Sequence, residues 1–127
     1  MSAGWPEPIA PLVDHVREAT GGKRAGTKVP GDVELLPEFI RLARGPGTDD
    51  LTTDAPLVDV ETFHPNYKGA AALAEDVRGI FHALPGRKIG TVLVDRVRTV
   101  MSPSEVDYGN PGTVRFVASY RIEYRKG

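Results

Sequence analysis

The sequence predicts an α+β fold: a four-stranded, mostly antiparallel sheet with two helices on one face, in the order α-β-β-α-β-β. Two patterns carry this prediction. Apolar residues recur at helical spacing between Ala70 and Leu84, and apolar and polar residues alternate between Thr113 and Lys126. A chain of 127 residues is most simply one domain, residues 1–127, with a single core.

Both predicted helices combine an apolar stripe with a residue pair that ends the helix. The first has its stripe between Ile9 and Val16 and ends at the glycine pair 21–22. The second follows Asn66, whose side chain is suited to cap a helix N-terminus, and ends at the Pro-Gly pair 85–86. Two amphipathic helices of this kind predict that one face of the sheet is covered.

Strand patterns occupy the segments between the helices. The third strand loses its alternation in the middle, which predicts a β-bulge near Asp95 or Arg96. In the first two strands, Arg41 is expected to face Asp59 or Glu61 across a hairpin joined by the turn-rich linker 45–55. The predicted strands are Glu38 to Arg44, Leu57 to Thr62, Lys88 to Ser102, and Thr113 to Lys126.

Two loops, residues 21–37 and 102–112, are polar and are expected to be poor in apolar anchors. We expect them to become ordered only on assembly with a partner.

Composition excludes several functional classes. The formal net charge of −1 provides no general basic field for nucleic acid, and the absence of cysteine excludes disulfides and thiol chemistry. We expect neither a signal peptide nor a membrane span, because no segment approaches ~18 unbroken apolar residues.

The strongest catalytic pattern is V-D-V-E-T, residues 58–62, which resembles the first motif of the DEDD-type exonucleases. Two carboxylates on one strand face, Asp59 and Glu61, suit divalent cations. The further aspartates and the histidine or tyrosine of that family have no clear counterparts here. A metal-dependent nuclease is therefore kept as the less favoured alternative, and no cofactor or metal site is predicted. The histidines, His15, His64 and His82, have no zinc-motif spacing.

Across its length, the chain resembles the tail terminator proteins of long-tailed, non-contractile phages, especially those of actinobacterial hosts. The resemblance rests on PIAPLVDHVREATG, on LVDVETFHPNYKGAAALAEDVRGIFHAL, and on a closing hairpin that ends RFVASYRIEYR. It implies a virion structural protein without catalysis, forming a ring of six subunits that caps the tail tube and stops its polymerisation. The implied partners are further copies of the chain, the tail tube protein, the head-tail connector, and DNA that passes through the lumen without sequence-specific binding.

The resemblance gives the charged strands an expected role. Rings need two unlike surfaces that meet, so the residues expected at a subunit interface or channel lining are Asp59, Glu61, Arg115, Arg121 and Arg125. A head-tail connector of similar fold, and a small binding module of a bacterial host, remain as alternatives. The expected location is the head-proximal end of the phage tail, after assembly in the host cytoplasm.

Overall fold

The computed structural model describes residues 7–49 and 54–126, which form two helices, a short 3-10 helix and six strands. In chain order these are α1 Ile9–Ala19, β1 Ala25–Gly26, the 3-10 helix Val33–Leu35, β2 Phe39–Asp49, β3 Asp54–His64, α2 Tyr67–His82, β4 Lys88–Ile89, β5 Val92–Glu105 and β6 Val114–Lys126.

The strands form one curled, mixed sheet, a half-barrel, in the order β1-β2-β3-β6-β5-β4. β1 runs parallel to β2, and every other described pair is antiparallel. The predicted four-stranded sheet and its element order are therefore wrong. The two additional strands, β1 and β4, are two residues each, too short to produce any periodicity in the sequence.

The strand boundaries differ from prediction in two places. The predicted third strand is divided at Gly90, which has a φ of 62° and turns the chain so that Ile89 pairs with Val92. The predicted 45–55 linker largely continues the sheet, because β2 runs to Asp49 and β3 starts at Asp54. A register shift between Arg44 and Gly47 accommodates Pro46 within this hairpin.

The core lies between the two helices and one face of the sheet. α2 directs its predicted apolar stripe inward, and Asn66 caps the helix by accepting a hydrogen bond from the Gly69 backbone N–H at 2.8 Å. Phe81 packs on Tyr120 of β6 with ring centroids 4.8 Å apart. The largest fully buried side chains of this core are Tyr120, Tyr124, Phe81, Ile40, Leu42, Leu84 and Ile122.

The predicted bulge is confirmed, because the β5–β6 register shifts between Val94 and Arg96, leaving Asp95 unmatched. Two further irregularities follow, between Thr99 and Met101 and between Met101 and Ser104. β5 then continues to Glu105, into the segment predicted as a loop.

A second, smaller apolar cluster corrects the expectation that the two loops lack anchors. Val33 is buried against Phe39 and Phe63, and Tyr108 meets the Phe63 ring edge-on with centroids 5.1 Å apart. Residues of both loops thus pack at one end of the sheet, on the face opposite the helices.

Candidate functional site on the helix-free face

The face of the sheet opposite the helices carries the predicted site residues. β3 and β6 are neighbours in the sheet, with Asp59 paired to Ser119 and Glu61 to Val117. Because side chains alternate along a strand, the residues flanking the buried ones all lie on this second face. We call it the helix-free face; its charged members are Arg41, Asp59, Glu61, Asp95, Arg96, Arg98, Arg115, Arg121, Glu123 and Arg125.

This arrangement places Asp59 and Glu61 on the same face as the arginines of β6. From the sequence alone, the acidic residues and the arginines could lie on two separate faces that meet in a contact between subunits. The structure instead interleaves the two charges within one subunit. A role for these residues at an interface or lumen remains a prediction.

Glu61 is the centre of the charge network on this face. Its Oε1 pairs with Arg41 Nη1 at 2.5 Å and its Oε2 with Arg115 Nη1 at 3.1 Å, and its side chain is only 13% exposed. The cross-strand contact between Arg41 and Glu61 was predicted and is confirmed. The carboxylate lies nearly buried between the two guanidinium groups. It therefore neutralises the positive charges of Arg41 and Arg115, which would otherwise repel each other across three strands.

The same two arginines connect the sheet to its loops. Arg41 Nε donates to the carbonyl oxygen of Thr27 at 3.0 Å, beyond the end of β1. Arg115 Nη2 donates to the carbonyl oxygen of Asp107 at 3.0 Å, and its guanidinium lies over the Tyr108 ring, 5.5 Å from the centroid. Through these two arginines, Glu61 is connected to both loops.

The geometry does not suit the two-cation site of a nuclease. Asp59 Oδ1 accepts a hydrogen bond from Ser119 Oγ at 2.7 Å, and both oxygens of Glu61 already face arginines. A cation at Glu61 would have to displace or oppose these positive charges. In the described part of the chain, no group of three or more His, Asp or Glu side chains is arranged to hold a metal ion.

Two further ion pairs of this face lie nearer the end of the sheet at the β2–β3 hairpin. Arg96 Nε is 3.3 Å from Glu123 Oε2, and Arg125 Nε is 3.2 Å from Asp95 Oδ1. Both arginines are more than half exposed, so each pair stabilises the fold by at most about 1 kcal/mol.

Arg98 and Arg121 are the exception on this face, because they are paired across β5 and β6 without a carboxylate. Arg121 Nη1 donates to the carbonyl oxygen of Ala55 at 2.8 Å, and Arg98 has no acidic partner among the residues described. Like charges directly opposite each other destabilise a sheet. Sequence reasoning missed this pair; its only signal is the bulge at Asp95, which moves Arg98 onto the face of Arg121.

Two of the three histidines form hydrogen bonds within the described residues. His64 Nδ1 accepts from the Asn66 backbone N–H at 3.1 Å at the entry to α2, and His82 Nε2 lies 2.7 Å from Thr99 Oγ1.

One buried hydroxyl lacks a partner on the opposite, helix-covered face. The Tyr120 Oη has no hydrogen bond within the described residues. Burial raises the pKa of Tyr120 to about 12, with Arg78 lowering it and Glu75 raising it to smaller extents. A hydroxyl held neutral among aromatic rings is a packing feature rather than an acid or base.

No protein-family model matches the chain, and no curated protein matches it. Among solved structures, a chain in the virion of a native gene transfer agent (GTA) particle has a similar fold. The TM-score is 0.54, with 13% sequence identity over 87% of this chain and 84% of that one. At this identity the likeness shows a shared fold. Within the described residues, no helix is both long and apolar enough to cross a membrane.

Proposed function

We propose that this chain is a structural protein of a phage-type virion, acting as a tail terminator. The observation that carries the proposal is the fold shared with a GTA virion chain over most of the length of both proteins. The resemblance of the sequence to tail terminators supports the same role independently. In this proposal the protein lies at the head-proximal end of the tail.

The chemistry of the helix-free face supports a role based on shape and association. Its carboxylates are engaged by arginines and by Ser119, so they stabilise the sheet rather than activate water or hold a cation. Four of its six arginines are paired with carboxylates, and paired cations bind phosphate more weakly than free ones. Such a surface suits a lumen through which DNA moves without being held.

In the proposed assembly, six copies close into a ring on the end of the tail tube. The ring stops addition of further tube protein and presents its other side to the head-tail connector. Association with the tube end rather than with the head is what separates a terminator from a connector of similar fold.

The proposal is tested by combining the purified protein with tubes assembled from a cognate tail tube protein. We expect native mass spectrometry to give six copies, and negative-stain images to show a closed ring on one end of each tube. Tube length should fall as the ratio of this protein to tube protein rises. A protein that stays monomeric and never binds tube ends contradicts the proposal, and one that binds only heads is a connector.

The nuclease alternative has a direct assay. Incubation with single-stranded DNA and Mg²⁺ or Mn²⁺ is expected to give no cleavage, because the two arginines at Glu61 oppose a cation there. Metal-dependent cleavage that Asp59→Asn abolishes would replace the structural role with an enzymatic one.

A further inference from the structure

The arginines of the helix-free face fall into two groups. One group is paired with carboxylates: Arg41 and Arg115 with Glu61, Arg96 with Glu123, and Arg125 with Asp95. The other group is Arg98 and Arg121, which lie directly opposite each other on β5 and β6. Within the part of the chain that the structure describes, neither forms an ion pair with a carboxylate. The face therefore has one point of uncompensated positive charge.

The side chains of Arg98 and Arg121 are placed to contact a common anion. Residues directly opposed on antiparallel strands have Cβ atoms about 4.5–5.5 Å apart, so two long side chains reach the same point above the sheet. Arg121 Nη1 donates to the carbonyl oxygen of Ala55 at 2.8 Å, which orients this guanidinium and leaves its other N–H groups available. Arg98 is exposed and forms no hydrogen bond among the described residues, so all of its donors are available.

Glu61 shows how the same sheet accommodates two arginines that approach one point. There β3 lies between the strands of Arg41 and Arg115, and it supplies the carboxylate that bridges them. In contrast, β5 and β6 are direct neighbours, and no strand lies between Arg98 and Arg121 to supply one. An anion that bridges this second pair therefore has to come from outside the sheet.

The acids nearest to the pair are engaged by other side chains. Glu123 follows Arg121 on the same face of β6 and pairs with Arg96, and Asp59 accepts a hydrogen bond from Ser119. Like charges directly opposite each other destabilise a sheet, and an arrangement that lowers stability without a compensating contact is expected at functional sites. Guanidinium groups bind phosphate through paired N–H···O bonds, and its negative charge offsets both cations.

We infer that Arg98 and Arg121 together bind one phosphate group on the helix-free face. In the proposed ring this phosphate belongs to the backbone of the DNA in the lumen, and that assignment rests on the proposed function. A contact with phosphate carries no sequence information. It is also weakened by salt, and a single contact of this kind in each subunit agrees with DNA that moves through the ring.

Fluorescence anisotropy with a labelled duplex tests the site with one variant and a control of equal charge. Arg98→Gln removes an unpaired cation, whereas Arg125→Gln removes an exposed cation that Asp95 already neutralises. We expect R98Q to weaken DNA binding about fivefold at low salt and to reduce the slope of log affinity against log salt by about 0.9. R125Q should change the affinity by less than about twofold.

A double-variant cycle tests whether the two arginines share one phosphate. If they do, Arg121→Gln weakens DNA binding much less in the R98Q background than in the wild-type protein, because the shared contact is already lost. Independent effects of the two substitutions would overturn the shared site.

Stability provides a readout that separates binding from a purely structural role. Removing one of two opposed cations relieves their repulsion, so R98Q should unfold at the same urea concentration as the wild-type protein or at a higher one. Weaker DNA binding together with lower stability would assign Arg98 to support of the fold and overturn the site.

Inorganic phosphate distinguishes the sources of the phosphate group. At matched ionic strength, replacing chloride with phosphate should raise the unfolding temperature of the wild-type protein and of R125Q more than that of R98Q, since a ligand that binds only the folded state stabilises it. Reduced responses of R98Q to both phosphate and DNA support the site with DNA as the source. A reduced response to inorganic phosphate alone supports the site with free phosphate as its ligand.

Two outcomes of these measurements overturn the inference. The first is that R98Q and R125Q respond alike to DNA and to inorganic phosphate. The second is that R98Q keeps both responses but no longer binds tail tubes, because the anion would then be a carboxylate of the tube protein.

The two proposals fail separately. Closed rings on tube ends, with equal responses of R98Q and R125Q, would retain the terminator role and discard the phosphate site. A phosphate response that depends on Arg98, in a protein that never binds tube ends, would retain the site and discard the role.

Discussion

At the residue scale, Tyr120 is a buried polar group whose effect on the free energy of unfolding can be measured. Its hydroxyl has no hydrogen-bond partner among the described residues, and leaving a buried donor unpaired costs about 1–3 kcal/mol. We expect Tyr120→Phe to raise the free energy of unfolding at pH 8 by about 1 kcal/mol. Urea denaturation measures it, with the exposed Tyr67→Phe as the control; a loss of stability in Y120F would contradict it.

The same residue predicts a pH dependence. Because the folded-state pKa of about 12 lies above the ordinary value of 10, the folded protein keeps this proton after the unfolded chain has lost its own. Ionisation of this hydroxyl therefore leaves the free energy of unfolding unchanged below pH 10 and lowers it between pH 10 and 12. We expect the wild-type protein to lose more stability across this window than Y120F, measured by urea titrations at fixed pH; equal losses would contradict it.

Glu61 gives a prediction about the helix-free face. Replacing it with Gln removes the charge shared by Arg41 and Arg115 and leaves two guanidiniums without a counter-ion. We expect a loss of about 2 kcal/mol, between the values for exposed and buried pairs. Glu123→Gln is the matched control, because its partner Arg96 is 63% exposed, and should cost less than about 1 kcal/mol. Equal effects of the two variants in urea denaturation would contradict the central role of Glu61.

At the element scale, the start of α2 depends on a close contact between a glycine and a histidine. A methyl group added at Gly69 would lie 2.1 Å from His64 Cε1. His64 is itself held by the Asn66 backbone N–H. We expect Gly69→Ala to destabilise the wild-type protein. In a His64→Ala background the same change should stabilise it by up to about 1 kcal/mol, the ordinary helix preference for alanine.

Thermal or urea unfolding of the four proteins in this cycle measures the coupling between the two positions. If Gly69→Ala has the same effect with and without the imidazole, the contact does not determine the choice of glycine.

Long elements with a clear periodicity were predictable from the sequence, and elements of two residues were not. The stripe of α2, its Asn66 cap and the alternation of β6 each depend on residues close in sequence, and all are confirmed. β1 and β4 form only because the sheet offers them an edge to pair with, so two residues of sequence give no sign of them. The same reasoning applies to the 45–55 hairpin, where glycine and proline suggested a turn but a bulge accommodates them.

At the scale of the whole molecule, charge pairing predicts the behaviour towards DNA. The exposed arginines Arg96 and Arg125 are paired with Glu123 and Asp95. Neutralising the two acids, Glu123→Gln with Asp95→Asn, should tighten non-specific DNA binding several-fold and steepen its salt dependence, because two cations become available to phosphate. Fluorescence anisotropy on two unrelated duplexes measures this, and we expect no preference between the sequences. An unchanged affinity would contradict the prediction.

The sequence singled out these charged residues but not their arrangement, and their role at an interface or lumen stays a prediction. Asp59, Glu61, Arg115, Arg121 and Arg125 all lie on one face, and the cross-strand pairing of Arg41 followed from the expected hairpin. The placement of β6 between β3 and β5 brings the acids and the arginines together, and strand order leaves no trace in local periodicity. The unpaired Arg98 depends on that order and on the bulge at Asp95, so it required the structure.

In the proposed ring, the three irregularities of β5 bear on the number of subunits. Bulges bend and twist a strand, so the register shifts after Val94, Thr99 and Met101 help to set the arc that one subunit spans. Identical subunits joined end to end close into a ring only when the angle that each subunit spans divides the full circle. Deleting Asp95 removes one bulge and straightens the strand, so the proposed assembly should form wider rings or open spirals. A single bulge residue would then help to determine the number of subunits.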